Sequence, residues 1–103
     1  DVADPNVTLQ QLMLAYERVV ARVESREGLF VSRDTLSIRE RMTDILKILR
    51  IQKNVMFEQL FKPEEGRLGV VVTFISLLEL FRGDSLIVVQ NEAFAPIHIR
   101  AAE

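Results

Sequence analysis

The residues able to do chemistry in this 103-residue chain are few and badly placed for it. There is no cysteine and a single histidine, His98. Disulfides, thiol catalysis, cysteine-type zinc sites and any two-histidine mechanism within one chain are therefore excluded. His98 falls at alternating spacing in an apolar run near the end, which marks a strand side chain rather than a catalytic base. Ser32, Ser37, Ser76 and Ser85 have no base in a recognisable motif. Gly66 and Gly69 are not followed by the Gly-Lys-Ser/Thr that a phosphate loop needs. Glu64, Glu65 and Asp84 could be imagined as paired carboxylates. Acids at a helix start are more simply explained as partners of the helix dipole. Arg39, Arg41, Lys47 and Arg50 give one helix a basic flank, readable as a solvated face or as a contact to an acidic partner. Nothing here makes an enzyme, so no catalytic residue, cofactor or metal is assigned.

Composition agrees with an interaction module. Hydrophobic residues are 49% of the chain, enough to bury a core, and charged residues 27%. The net charge is −2, which counts against bulk electrostatic binding to nucleic acid. The most apolar stretch, Leu68 to Phe81, is interrupted by Thr73, Ser76 and Glu79 and falls short of the roughly 20 residues that span a bilayer. No basic region followed by an apolar run opens the chain, so no signal peptide is expected. The first residue is Asp rather than Met, which suggests a piece of a longer protein.

The elements that must position these residues follow from periodicity. Thr8 to Arg26 reads as a helix, with Thr8 and Gln11 in a capping-box pattern and Leu9, Leu12, Tyr16, Val19 and Val23 as one apolar stripe. Glu27 to Leu36 is the expected hinge. Ser37 and Glu40 repeat the capping box, and the helix they announce runs to about Ile51, with Ile38, Met42, Ile45, Leu46 and Leu49 inward. Arg39, Arg41, Asp44 and Lys47 form its wet side. Val55 to Phe57 suits a short strand and Glu58 to Phe61 a helical turn stopped by Pro63. Glu65 to Arg82 is a helix apolar almost all round. Leu68, Val71, Ile75 and Leu78 mark one face; Val70, Phe74, Leu77 and Phe81 mark another. Gly69, Thr73 and Ser76 leave a narrow small or polar stripe. Such a helix is either wholly core or shared between core and an interface. Leu86 to Gln90 and Ile97 to Ala101 complete the order as strands.

Helix, short strand, short helix, long helix, strand, loop, strand is the order of a winged helix. The fold class expected is mainly α with a small β wing (α+β), divided as 1–33, an amphipathic helix and hinge, and 34–103, the winged-helix domain. A winged helix raises DNA binding as one reading. A recognition helix needs Arg, Lys, Asn or Gln at base edges, and none lies between Leu68 and Phe81. From Gly66 to Glu103 three bases face four acids, and the wing connection Asn91 to Pro96 carries an acid and no base.

Several packing and turn patterns are similar to one known family. Glu65-Gly66-Arg67-Leu68-Gly69-Val70-Val71-Val72-Thr73-Phe74 followed by Leu77-Leu78-Glu79-Leu80 is the most specific. Glu92-Ala93-Phe94-Ala95-Pro96-Ile97, Leu12 to Tyr16 with Glu17-Arg18-Val19, and Ser37-Ile38-Arg39-Glu40-Arg41-Met42 also match. From about Thr8 to Ala102 the chain resembles the C-terminal half of segregation and condensation protein A, the kleisin of the bacterial SMC–kleisin condensin. The resemblance implies a non-enzymatic role in chromosome condensation and segregation, in the cytoplasm and associated with the nucleoid. It implies that the winged helix docks on an SMC ATPase head. It also implies that the first helix ends a middle region that binds segregation and condensation protein B. The alternative is a winged-helix DNA-binding transcriptional regulator. Leftover apolar side chains on a two-stranded wing make Leu86, Val88, Ile97 and Ile99 the candidate SMC-head surface. Leu9, Leu12, Tyr16, Val19 and Val23 are the candidate partner-facing stripe of the first helix, which is expected to pack on the core, on a second copy or on protein B.

Overall fold

The computed structural model describes residues 5–24, 36–92 and 94–102. Its elements are α1 (Pro5–Glu24), α2 (Ile38–Gln52), β1 (Val55–Met56), two 3-10 turns (Phe57–Leu60 and Pro63–Glu65), α3 (Gly66–Arg82), β2 (Leu86–Val89) and β3 (His98–Ala101). The order is the winged-helix order anticipated, preceded by one helix. Pro5 occupies the first helical position, where its missing N–H costs nothing, so α1 begins nearly a turn before Thr8. Arg26 and most of the expected hinge lie outside the described residues. At α2 the Ser37 hydroxyl accepts the Glu40 N–H at 3.2 Å, the N-cap read from the sequence.

The wing is not a two-stranded hairpin. β1 joins it to make an antiparallel sheet in the order β1-β3-β2. Val55 lies opposite Ile99, and Val88 lies opposite Ile99 from the other side. β3 is thus the central strand. Ile99 has Val55 on one side and Val88 on the other and is only 1% exposed, and Ile97, just before the strand, is buried as well.

The small stripe of α3 is its most buried side. Gly69, Thr73 and Ser76 all face the core, where α2 packs against α3. Small residues let the two helices approach, and Ser76 Oγ lies 2.7 Å from the Val72 carbonyl and 3.2 Å from that of Ile38. Thr73 is fully buried, and its hydroxyl has no hydrogen-bond partner among the described residues. An unsatisfied buried hydroxyl costs roughly 1–3 kcal/mol. Thr73→Val keeps the shape and is expected to raise the melting temperature; a fall in a thermal scan would show that the hydroxyl is satisfied.

Arg41 departs from its expected place on the wet side of α2. It is buried, and its Nη2 donates to Glu65 Oε1 at 2.8 Å and Oε2 at 2.6 Å. The reason is local. Gly66 adopts φ 73°, ψ −161°, a region open essentially to glycine alone, and turns the chain from the second 3-10 turn into α3. Glu65 immediately before it is then carried back over the first turn of α3 toward α2. Gly69 makes that route open: a Cβ there would overlap the Glu65 Cβ and come within 2.7 Å of Oε1. Gly69 therefore serves α2 indirectly, by clearing the path of the carboxylate that bonds it. Alanine at a helical glycine normally adds up to about 1 kcal/mol. Gly69→Ala is nonetheless expected to lower the melting temperature, because the displaced group is a Cβ rather than a flexible tip.

Helix α1 is tied to the core by aromatic stacking. Tyr16 lies on Phe74 with ring centroids 4.0 Å apart and planes 12° from parallel. Phe74 meets Phe57 edge-on at 6.5 Å, and Phe57 meets Phe61 at 5.0 Å. Leu12, Val19 and Val23 are buried beside this chain of rings, which fixes α1 against α3. An exposed ion pair from Arg22 to Glu58, 3.5 Å, adds little.

Candidate docking surface

The four wing residues named from the sequence are brought together, but mostly beneath the surface. Leu86, Ile97 and Ile99 are buried in the core, and Val88 is half-buried. Of the α1 stripe, Leu12, Val19 and Val23 are buried against the rest of the chain, Tyr16 is half-buried, and Leu9 is exposed.

Apolar side chains left in solvent include Leu9, Met13 and Leu14 on α1, Ile51, Ile87 and Phe94, and a continuous set of them lies on α3. Leu68 is 55% and Ile75 37% exposed, and Val71 and Leu78 in register with them are half-buried. Their spacing of three, four and three places them on one face of the helix. Only Arg67, Glu79 and Arg82, at or near the two ends, bring charge to this face, and Arg82 pairs with Glu79. An open groove flanks α3 on each side. Toward α1 it is about 370 Å³, lined by Tyr16, Val20, Ala21, Val23, Val70 and Val71 together with the charged Glu17 and Arg67. Toward α2 it is about 650 Å³, lined by Ile38, Met42, Leu46, Ile75 and Leu80 with Arg39, Thr43 and Glu79 at its rim. Ile38, Met42 and Leu46, expected inside, thus have one side in a groove: Ile38 is exposed and the other two are half-buried. The residues that point inward from α2 are Arg41, Ile45 and Leu49.

Together these form an apolar surface running from α1 across α3 to α2. Such a surface is suited to protein association. Among the described residues no group of three or more His, Cys, Asp or Glu could hold a metal ion, and no helix is long and apolar enough to cross a membrane. The sequence signal for the α3 face was its apolar Leu68, Val71, Ile75, Leu78 register. What could not be read was which of the two apolar faces lay outward.

No protein-family model matches the chain. Individual relatives do. It is 42% identical over 97 residues to "Segregation and condensation protein A" of Xylella fastidiosa (strain 9a5c), covering 94% of this chain and 32% of that protein. It is 44% identical over 97 residues to the protein of the same name from Coxiella burnetii, covering 94% and 36%. It is 40% identical over 95 residues to that of Brevibacillus brevis, covering 91% and 37%. The chain belongs to the segregation and condensation protein A family. It spans about a third of the length of these relatives. The match to segregation and condensation protein A covers nearly the whole chain, so α1 is part of the related sequence together with the winged helix.

Proposed function

We infer that this chain is the non-enzymatic docking part of a condensin kleisin, acting in chromosome condensation and segregation. Its winged helix, residues 34–103, would seat on an SMC ATPase head, with α1 as the end of a region shared with segregation and condensation protein B. The work of such a module is mechanical: it couples a tether to ATP-driven engagement of the heads. It would act in the cytoplasm, on the nucleoid.

The observation that carries the reading is the face of α3. In a DNA-reading winged helix this helix presents hydrogen-bonding side chains to base edges. Here its outward middle is Leu68, Val71, Ile75 and Leu78, flanked by two apolar grooves. A surface of that chemistry is recognised by apolar protein surface. The test is co-purification of the chain with an SMC head domain, set beside a salt titration of binding to duplex DNA. Retention on the head with weak DNA binding is the expected pair of results. Tight DNA binding with a steep salt slope, and no retention on the head, would favour the regulator instead.

A further inference from the structure

We propose that the chain pairs with a second copy of itself through the free edge of β2, joining two three-stranded sheets into one of six. The argument starts from hydrogen-bond parity. In an antiparallel ladder, residues exchange both bonds with their partner at every second position only. Ala102 N–H donates to the Ser85 carbonyl at 3.0 Å, which marks Ser85 and Ala102 as a bonded pair. The same register makes Ile87 with Arg100, and Val89 with His98, bonded pairs. The backbone groups of Leu86 and Val88 then point away from β3. The other side of β3 obeys the same alternation, since Phe57 N–H bonds the Ile97 carbonyl. Among the described residues β2 has β3 as its only strand neighbour.

This edge lacks the usual protection. Proteins guard free edges with lysine, proline or inward charges, and Ser85 to Asn91 contains none of them. The sequence Leu86-Ile87-Val88-Val89 is apolar and largely β-branched. Ile87 projects from the outer face of the sheet and is 42% exposed.

Charge permits a second copy as the occupant, because Ser85 to Asn91 carries none and two copies of this edge meet without repulsion. A two-fold antiparallel pair centred on Ile87 sets Leu86 opposite Val88 of the second copy, so the outward N–H and C=O groups of both are satisfied. Ile87 then lies directly against its own counterpart at a close, non-bonded position. Ser85 falls opposite Val89 and Asp84 opposite Gln90, and no like charges meet. Shifting the centre to Val88 would place Asp84 opposite Glu92, so this register is disfavoured. The surface is self-complementary, as a two-fold interface requires, and it leaves the α3 face free.

Analytical ultracentrifugation of the full chain over a concentration series tests the proposal, with hydrogen exchange read at individual amides. The sedimenting mass is expected to double at high concentration, with exchange at Leu86 and Val88 slowing in step. Ile87→Lys, whose side chain is outside the core, should hold the protein monomeric with an unchanged melting temperature. Ile75→Lys on the α3 face should leave the dimer intact. A chain that stays monomeric at every concentration overturns the proposal. So does a dimer that survives Ile87→Lys, or one that Ile75→Lys abolishes.

Discussion

Replacing Arg41 with Met while Glu65 stays in place is expected to lower the melting temperature by roughly 15 °C or more. The arithmetic follows from burial. The side chains of Arg41 and Glu65 are 8% and 17% exposed, and the two carboxylate oxygens accept bonds from one guanidinium nitrogen, at 2.8 and 2.6 Å. Removing one member of a buried pair costs about 3–5 kcal/mol, chiefly by stranding the other charge. In a domain of this size each kcal/mol moves the midpoint by roughly 4–8 °C. Glu65→Gln should act in the same direction with a smaller effect, because the amide oxygen can still accept one bond. The double replacement Arg41→Met with Glu65→Leu removes both charges and should recover much of the loss. A double variant no more stable than Arg41→Met alone would mean that the pair does more than neutralise itself. Thermal scans of the parent, Arg41→Met, Glu65→Leu and the double variant form a double-mutant cycle and measure the coupling directly.

The same pair shows what the sequence could and could not convey. The cap of α2 was legible because Ser37 and Glu40 are three residues apart and act locally. Strand β3 was legible because alternation is a local property, as the exposure of Arg100 between Ile99 and Ala101 shows, and β2 because its run is apolar and β-branched. Arg41 was not legible. Its partner lies 24 residues away, and only the Gly66 turn and the empty space at Gly69 bring the carboxylate to it. Position 41 lies in register with Ile45 and Leu49, so periodicity allowed it inside, while residue type argued for solvent.

The burial of the wing residues was not legible for a related reason. A two-residue strand such as Val55–Met56 has little periodicity to announce what it pairs with. Once it pairs with β3, Ile99 has neighbours on both flanks, and with Ile97 also buried the apolar surplus assigned to a two-stranded wing is absorbed. Helix α3 posed the opposite problem. A helix apolar all round carries no phase, so its outward face is set by α1 and α2. The Tyr16–Phe74 stack fixes α1 on one flank, and the Ser76–Ile38 contact fixes α2 on the other. What remains between them is the Leu68–Ile75 face.

Lysine substitutions separate the two surfaces by outcome. At Ile99, 1% exposed in the centre of the sheet, an ammonium cannot reach water without parting β1 from β3. Ile99→Lys is expected to unfold the domain, since an unpaired buried charge costs several kcal/mol, a large part of a small domain's stability. At Ile75, already 37% exposed, the long side chain can lay its methylenes along α3 and extend its charge into solvent. Ile75→Lys is therefore expected to melt within a few degrees of the parent. If the α3 face seats on an SMC head, that well-folded variant should lose retention on the head, because the new charge would be trapped in an apolar contact. Leu68→Lys should do the same from about two turns away along the same face. The measurement is paired, melting temperature beside co-purification for each variant. Loss of binding in folded Ile75 and Leu68 variants places the contact on α3. Full binding by both would take α3 out of the interface and turn attention to the exposed side of the wing, where Ile87 and the half-buried Val88 remain.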